Sequence, residues 1–214
     1  MHIDRNALEA MPKRRRAALI NSLSGYKPAN LVGTVDNGGC CNLAIMSSVV
    51  HLGSNPPLMA LVIRPGGEER HTLANLLHTG QFSINHVSEN MVEQAHQTAA
   101  RYPAETSEFE ATGLTPEWWP GFDAPLVAEA PVKLAMELRE HQRMSINDTH
   151  MVIGEIIKAE LPADCLRDTG GLDLAASGAV ALEGLDAYYR PSLLKRMAYA
   201  KPGLPPRPLD STGE

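Results

Sequence analysis

Residues 29–64, ANLVGTVDNGGCCNLAIMSSVVHLGSNPPLMALVIR, decide the fold. Small and β-branched residues over 29–36 read as a strand, Asn37-Gly38-Gly39 supplies the positive φ values of a tight hairpin turn, and residues 40–46 run back as its partner. Ser47-Ser48 interrupts the apolar run, and Gly53-Ser54-Asn55-Pro56-Pro57 makes a rigid turn. Residues 58–63, LMALVI, then read as a third strand of the fully buried kind. Small hydroxyl residues thus sit at a strand end, beside main chain that a flat polar ligand could approach.

Outward from this stretch, the 214 residues suit one domain with a substantial core, and 43% hydrophobic with 21% charged residues is ordinary for a globular protein. A net charge of -6 argues against nucleic acid or an anionic membrane as the main partner. The basic run Lys13-Arg14-Arg15-Arg16 falls in an expected amphipathic helix over 6–23, offering Leu8, Met11, Ala18, Leu19 and Leu23 to the outside of a sheet. No apolar run reaches the ~20 residues of a membrane span, and residues 1–10 lack a signal-peptide layout. Cys40, Cys41 and Cys165 form no CxxC, and the eight histidines show no HExxH or similar spacing, so no metal site is expected and a reducing cytoplasm fits best.

After Arg64, Pro65-Gly66-Gly67 turns the chain, and Thr72 is placed to cap a helix over 73–78, with Arg70 beside it. Read locally, this is either an ordinary cap or a site for a phosphate at a helix start. Gly80 ends that helix, residues 81–87 alternate like a strand, and a second helix is expected over 88–100. Residues 101–119 read as a long irregular loop carrying Tyr102, Phe109, Trp118 and Trp119. Strands follow over 131–140 and 149–161, the second bent or bulged at Gly154. Residues 203–214 are expected as a proline-rich tail to a domain spanning 1–202. Mostly antiparallel strands with short helices between them indicate a small β-barrel, mainly β with peripheral helices, and no GxGxxG joins a strand to a helix.

Three segments, GTVDxxGxxNLAIMSSVxHLGSNPPLM at 33–59, RHTLANLLHTGQFSIN at 70–85 and GLDAYYRPxxLxRMAYAKP at 184–202, together resemble the flavin reductase-like FMN-binding split-barrel family, most of all its flavoredoxin-type branch. The likeness runs from about residue 13 to residue 202. It implies a six-stranded antiparallel split β-barrel and a homodimer with FMN near the subunit interface. NADH or NADPH would be the electron donor, and a redox partner protein or bound acceptor would be served by the reduced flavin. Carried onto this chain, the family's flavin groove maps to Gly33, Thr34, Val35, Asp36, Asn42, Ser47, Ser48, Val49, Val50, Arg64, Arg70, His71, Thr72 and Asn75.

Ser47, Ser48 and Thr72 are expected near the phosphate or ribityl chain, the main-chain amides of Ser48 and Val49 at the ring's polar edge, and Arg64 as the cation that raises the flavin potential. Stacked rings need no acid or base for hydride transfer, so the expected list of catalytic side chains is empty. Tyr102, Tyr188 and Tyr189 are candidates to cover the flavin or a partner subunit. Two other functions compete with an FMN-dependent oxidoreductase: an FMN-binding electron carrier without its own nicotinamide site, and a nucleic-acid module. Aromatic residues at 5% and the negative net charge disfavour the latter.

Overall fold

The computed structural model describes residues 1–66 and 71–209. Its elements in order are α1 (Arg5–Ala10), α2 (Lys13–Leu23), β1 (Lys27–Pro28), β2 (Asn30–Val35), β3 (Cys41–Met46), β4 (Val49–Ser54), β5 (Pro57–Ile63), α3 (His71–Thr79), β6 (Gln81–His86), α4 (Val92–Gln97), α5 (Glu108–Thr112), β7 (Pro116–Glu117), β8 (Leu126–Val127), β9 (Lys133–Arg143), β10 (His150–Glu160), β11 (Ala181–Glu183) and β12 (Ala187–Tyr189). No described helix is long and apolar enough to cross a membrane.

Seven strands form the main sheet in the order β3-β2-β6-β9-β10-β5-β4, every neighbouring pair antiparallel. The edge strands β3 and β4 do not pair with each other, which leaves the barrel split. The seventh strand beyond the expected six is β4, where the sequence suggests only a link between two strands. Val49-Val50-His51 has no polar-apolar alternation because β4 is an edge whose Val50 side chain is 57% exposed. β5 is correspondingly not buried throughout: Ala60, Leu61 and Ile63 face the core while Val62 faces outward. A small sheet of β1, β11 and β12, also unforeseen, packs Leu182 and Tyr188 on the core.

The β2–β3 hairpin forms, but of Asn37-Gly38-Gly39 only Gly39 takes a positive φ, and the turn is held by Asp36 instead. Asp36 Oδ1 accepts from the Gly38 and Cys40 amides, both at 2.8 Å, and Gly39 takes φ +84°. At Gly154 the β9–β10 register shifts, and a Cβ there would lie 2.6 Å from Phe82 Cζ, so this glycine serves both bulge and packing. Val32, Phe82, Ile84, Leu134, Met136 and Val152 fill the core on one face of the sheet, and Leu31, Leu43, Val87, Phe109 and Val127 fill it on the other.

Several expected helices are shorter than their patterns suggest. The helix expected over 6–23 breaks at Met11-Pro12, where proline lacks the N–H a continuing helix needs, and neither piece buries a residue. Packing of that helix across the sheet is therefore not observed. The helix expected over 88–100 is a turn of 3-10 helix followed by the six residues of α4. The stretch 101–119 is ordered by α5 and β7, with Phe109 and Trp119 buried. That burial accounts for two of its aromatic side chains, while Trp118 is 50% exposed.

Candidate functional site

Because β3 is an edge strand, its outward amides need partners from outside the sheet. Glu108 Oε2 accepts from Leu43 N at 2.8 Å and Thr98 Oγ1 accepts from Ile45 N at 2.9 Å. These two bonds lay the segment 98–108 along β3. Between that segment, the β3–β4 junction, the end of β5 and the start of α3 lies a cavity of about 650 Å³.

A buried polar layer forms its floor. Asn42 Nδ2 donates to Thr72 Oγ1 at 2.9 Å and to Thr34 Oγ1 at 3.3 Å, and Asn75 Nδ2 donates to Thr34 Oγ1 at 3.3 Å. Thr72 accepts in this network, so its own hydroxyl proton remains for a ligand. The expected cap is thereby corrected: Thr72 is already helical within His71–Thr79, and its hydroxyl is tied to β3. His71 and Thr72 both line the cavity, which brings the N-terminal end of the described helix, with its positive dipole end, to the wall.

The sequence-derived residues divide into those on the wall and those behind it. Asn42, Ser47, Ser48, Arg64, His71 and Thr72 line the cavity together, although 30 positions separate Asn42 from Thr72. Thr34 and Asn75 stand behind them as supports. Gly33 is packed on the opposite side against Pro125 and Ser83, Val35 is in the core, and Asp36 is spent on the hairpin turn. Val49 packs on the core and Val50 points outward. Arg70 lies outside the described residues. Ser48 also differs from expectation in detail, since its hydroxyl donates to the Val62 carbonyl at 2.5 Å and so fastens β4 to β5.

Other wall residues escaped the sequence reading. Lys27, Asn21 and Ser24 line the cavity from β1 and the end of α2, and Leu182 and Leu185 come from the small sheet and its turn. Nothing local marks them, because Ser24 to Lys27 read only as helix-ending punctuation. Tyr102 does reach the wall, with its hydroxyl accepting from Gln97 Nε2 at 2.9 Å. Tyr188 and Tyr189 pack elsewhere: Tyr188 Oη lies 3.0 Å from His96 Nδ1, and Tyr189 donates to Glu183 at 2.8 Å. Glu108 is the one carboxylate among the described lining residues. Burial pushes its carboxyl up, opposed by the Leu43 amide and by nearby His71. Against it stand Lys27, Arg64 and Arg101, a cationic wall in a chain of net charge -6.

The open antiparallel sheet and the hydroxyl-rich, cationic cavity at its split edge define a split-barrel protein with a ligand cavity of cofactor size. The chain belongs to the flavin reductase like domain family, whose model matches residues 26–178. A candidate flavin reductase with a split barrel domain from Shewanella frigidimarina is 50% identical and superposes with a TM-score of 0.90, covering 94% of this chain and 100% of that one. The 2-nitrobenzoate 2-nitroreductase NbaA of Pseudomonas fluorescens shares the fold at 24% identity and a TM-score of 0.80, over 96% of this chain and 98% of its own. Flavoredoxin of Desulfovibrio vulgaris (Miyazaki F) is 25% identical, with a TM-score of 0.68, over 84% of this chain and 92% of its own. Flavin-linked oxidoreduction is the class of chemistry of this family.

Proposed function

We propose that the cavity holds FMN and that the protein is an FMN-dependent oxidoreductase drawing hydride from NADH or NADPH for a downstream acceptor. One observation carries this reading: the Ser47-bearing junction, Arg64 and the α3 start meet on a single wall despite their separation in sequence. The donor set suits the ligand. A flavin phosphate asks for amides, hydroxyls and a guanidinium, and here these are the α3 amides, the Ser47 and Thr72 hydroxyls and Arg64. FMN when bound supplies a ring that accepts hydride and returns electrons to an acceptor. The chain's part is then to grip the phosphate, orient the ring along β3 and β4, and exclude water with the 98–108 segment.

Two measurements test this. Protein purified without added flavin, or reconstituted with it, is expected to release FMN and to bleach on anaerobic mixing with NADH or NADPH. Binding without bleaching would favour the electron carrier, and absence of flavin binding would end both readings. Arg64→Ala is expected to weaken FMN about tenfold while weakening riboflavin less than twofold, because the phosphate is the difference between the two ligands. Equal losses for both would remove Arg64 from the phosphate site.

We further propose a homodimer. Leu194 and Tyr199 are 90% and 91% exposed, and Ile20, Leu23 and Tyr26 are also uncovered, more apolar surface than an isolated chain commonly shows to water. Sedimentation equilibrium is expected to give twice the chain mass. A monomer at micromolar concentration would refute this.

A further inference from the structure

Lys27 is held in an unusual way for a surface lysine. Its Nζ donates to the Asn21 carbonyl at 2.7 Å and to Ser24 Oγ at 3.1 Å, both at the end of α2, where the helix carbonyls carry partial negative charge. These bonds use two of its three donors and fix the ammonium group on the cavity wall. Among the described residues no carboxylate lies within ion-pair distance of it. Helix α2, KRRRAALINSL, contributes no acid either. Glu108, the only carboxylate among the described lining residues, already accepts the Leu43 amide. Lys27 comes from the small sheet, paired with Leu182, whereas Arg64 follows β5 of the large one. With Arg101 from the 98–108 segment, the cavity is therefore given cationic groups by three separate parts of the fold, more than a single phosphate at Arg64 and α3 requires.

We propose that Lys27 is a specificity-determining residue for a second, exchanging ligand of this cavity, and that this ligand is anionic, carrying its phosphate or carboxylate to the β1 end while the flavin occupies the Arg64 end. The inference rests on the flavin reading and adds the charge class of the molecule that meets the flavin. A fixed ammonium with no counter-ion among the described carboxylates selects for charge and loses strength as salt rises. A dinucleotide donor supplies such a group as phosphate, and an aromatic acid acceptor supplies it as carboxylate.

The test is equilibrium binding rather than turnover. Lys27→Gln retains a hydrogen-bond donor toward α2 and removes the charge, and Lys27→Arg restores the charge. NADP+, benzoate and the neutral N-benzylnicotinamide are titrated into each protein, with and without FMN. Lys27→Gln is expected to lower affinity about tenfold for whichever of NADP+ and benzoate is the physiological type, with N-benzylnicotinamide changing less than twofold and Lys27→Arg recovering most of the loss. A loss confined to NADP+ identifies the donor as the ligand read by Lys27, and one confined to benzoate identifies the acceptor. Equal affinities of wild type and Lys27→Gln for both anions would overturn the inference. So would a tenfold loss for FMN relative to riboflavin, which would assign Lys27 to the flavin phosphate and leave the flavin reading intact. Failure of the wild type to bind FMN strikes the flavin reading itself, and the NADP+ and benzoate titrations without FMN still decide whether Lys27 binds an anion.

Discussion

Replacing Gly33 by alanine is expected to destabilise the protein by about 3–4 kcal/mol, enough to leave it unfolded at physiological temperature if its stability is of ordinary size. The added Cβ would lie 2.6 Å from Ser83 Oγ and well inside van der Waals contact with the Pro125 carbonyl oxygen. That carbonyl already accepts the Ser83 hydroxyl at 2.5 Å, so neither group can retreat without losing a buried hydrogen bond. Gly39 makes the contrast: its Cβ would meet nothing within 4 Å, and only its φ of +84° opposes a side chain. Gly39→Ala should therefore cost about 1 kcal/mol. Urea denaturation midpoints of the two variants check the account, which fails if Gly39→Ala proves the more damaging.

Acidification from pH 6.5 to 4 is expected to remove at most about 3 kcal/mol of stability through His86 alone. Burial holds this imidazole neutral and pushes its pKa down from 6.5 to about 4. The unfolded chain takes up a proton below 6.5 and the folded one does not until about 4, so the unfolded state gains across that window. The contribution is complete above 6.5 and lost below 4. Beside His86 in register, Asn30 is 1% exposed and its side-chain amide has no partner, and desolvation is the cause that holds the His86 proton off. His86→Gln should flatten the dependence of the denaturation midpoint between pH 6.5 and 4. An unchanged slope would place the acid sensitivity of that window elsewhere; Glu117, whose carboxyl is held low by its hydrogen bond from Lys133, loses its contribution only at lower pH.

The limits of sequence reading follow from the range of the forces involved. The hairpin at Asp36 to Cys40 was legible because turn residues such as Gly39 act within a few positions, although the Asp36 side chain that holds the turn was not foreseen. The β9 alternation and the Gly154 bulge were legible for a similar reason: side-chain direction repeats every second residue, and glycine marks a close approach. β4 and the β1-β11-β12 sheet were not, since an edge strand and two- or three-residue strands carry no pattern of their own. Likewise the cap expected at Thr72 rested on local chemistry, and a partner 30 positions away, Asn42, claimed the hydroxyl instead.

What the sequence determined by itself was which groups are available: strands of definite polarity, hydroxyls at a strand end, a guanidinium before a turn, a threonine at a helix start. Which of these face one another was decided by the order of seven strands and by the side chains that satisfy the edge of β3. Strand order is chosen by burial summed over the whole core and by the need to pair every buried amide. A cavity wall drawn from α2, β3, β5 and α3 therefore exists only once the chain has closed around it.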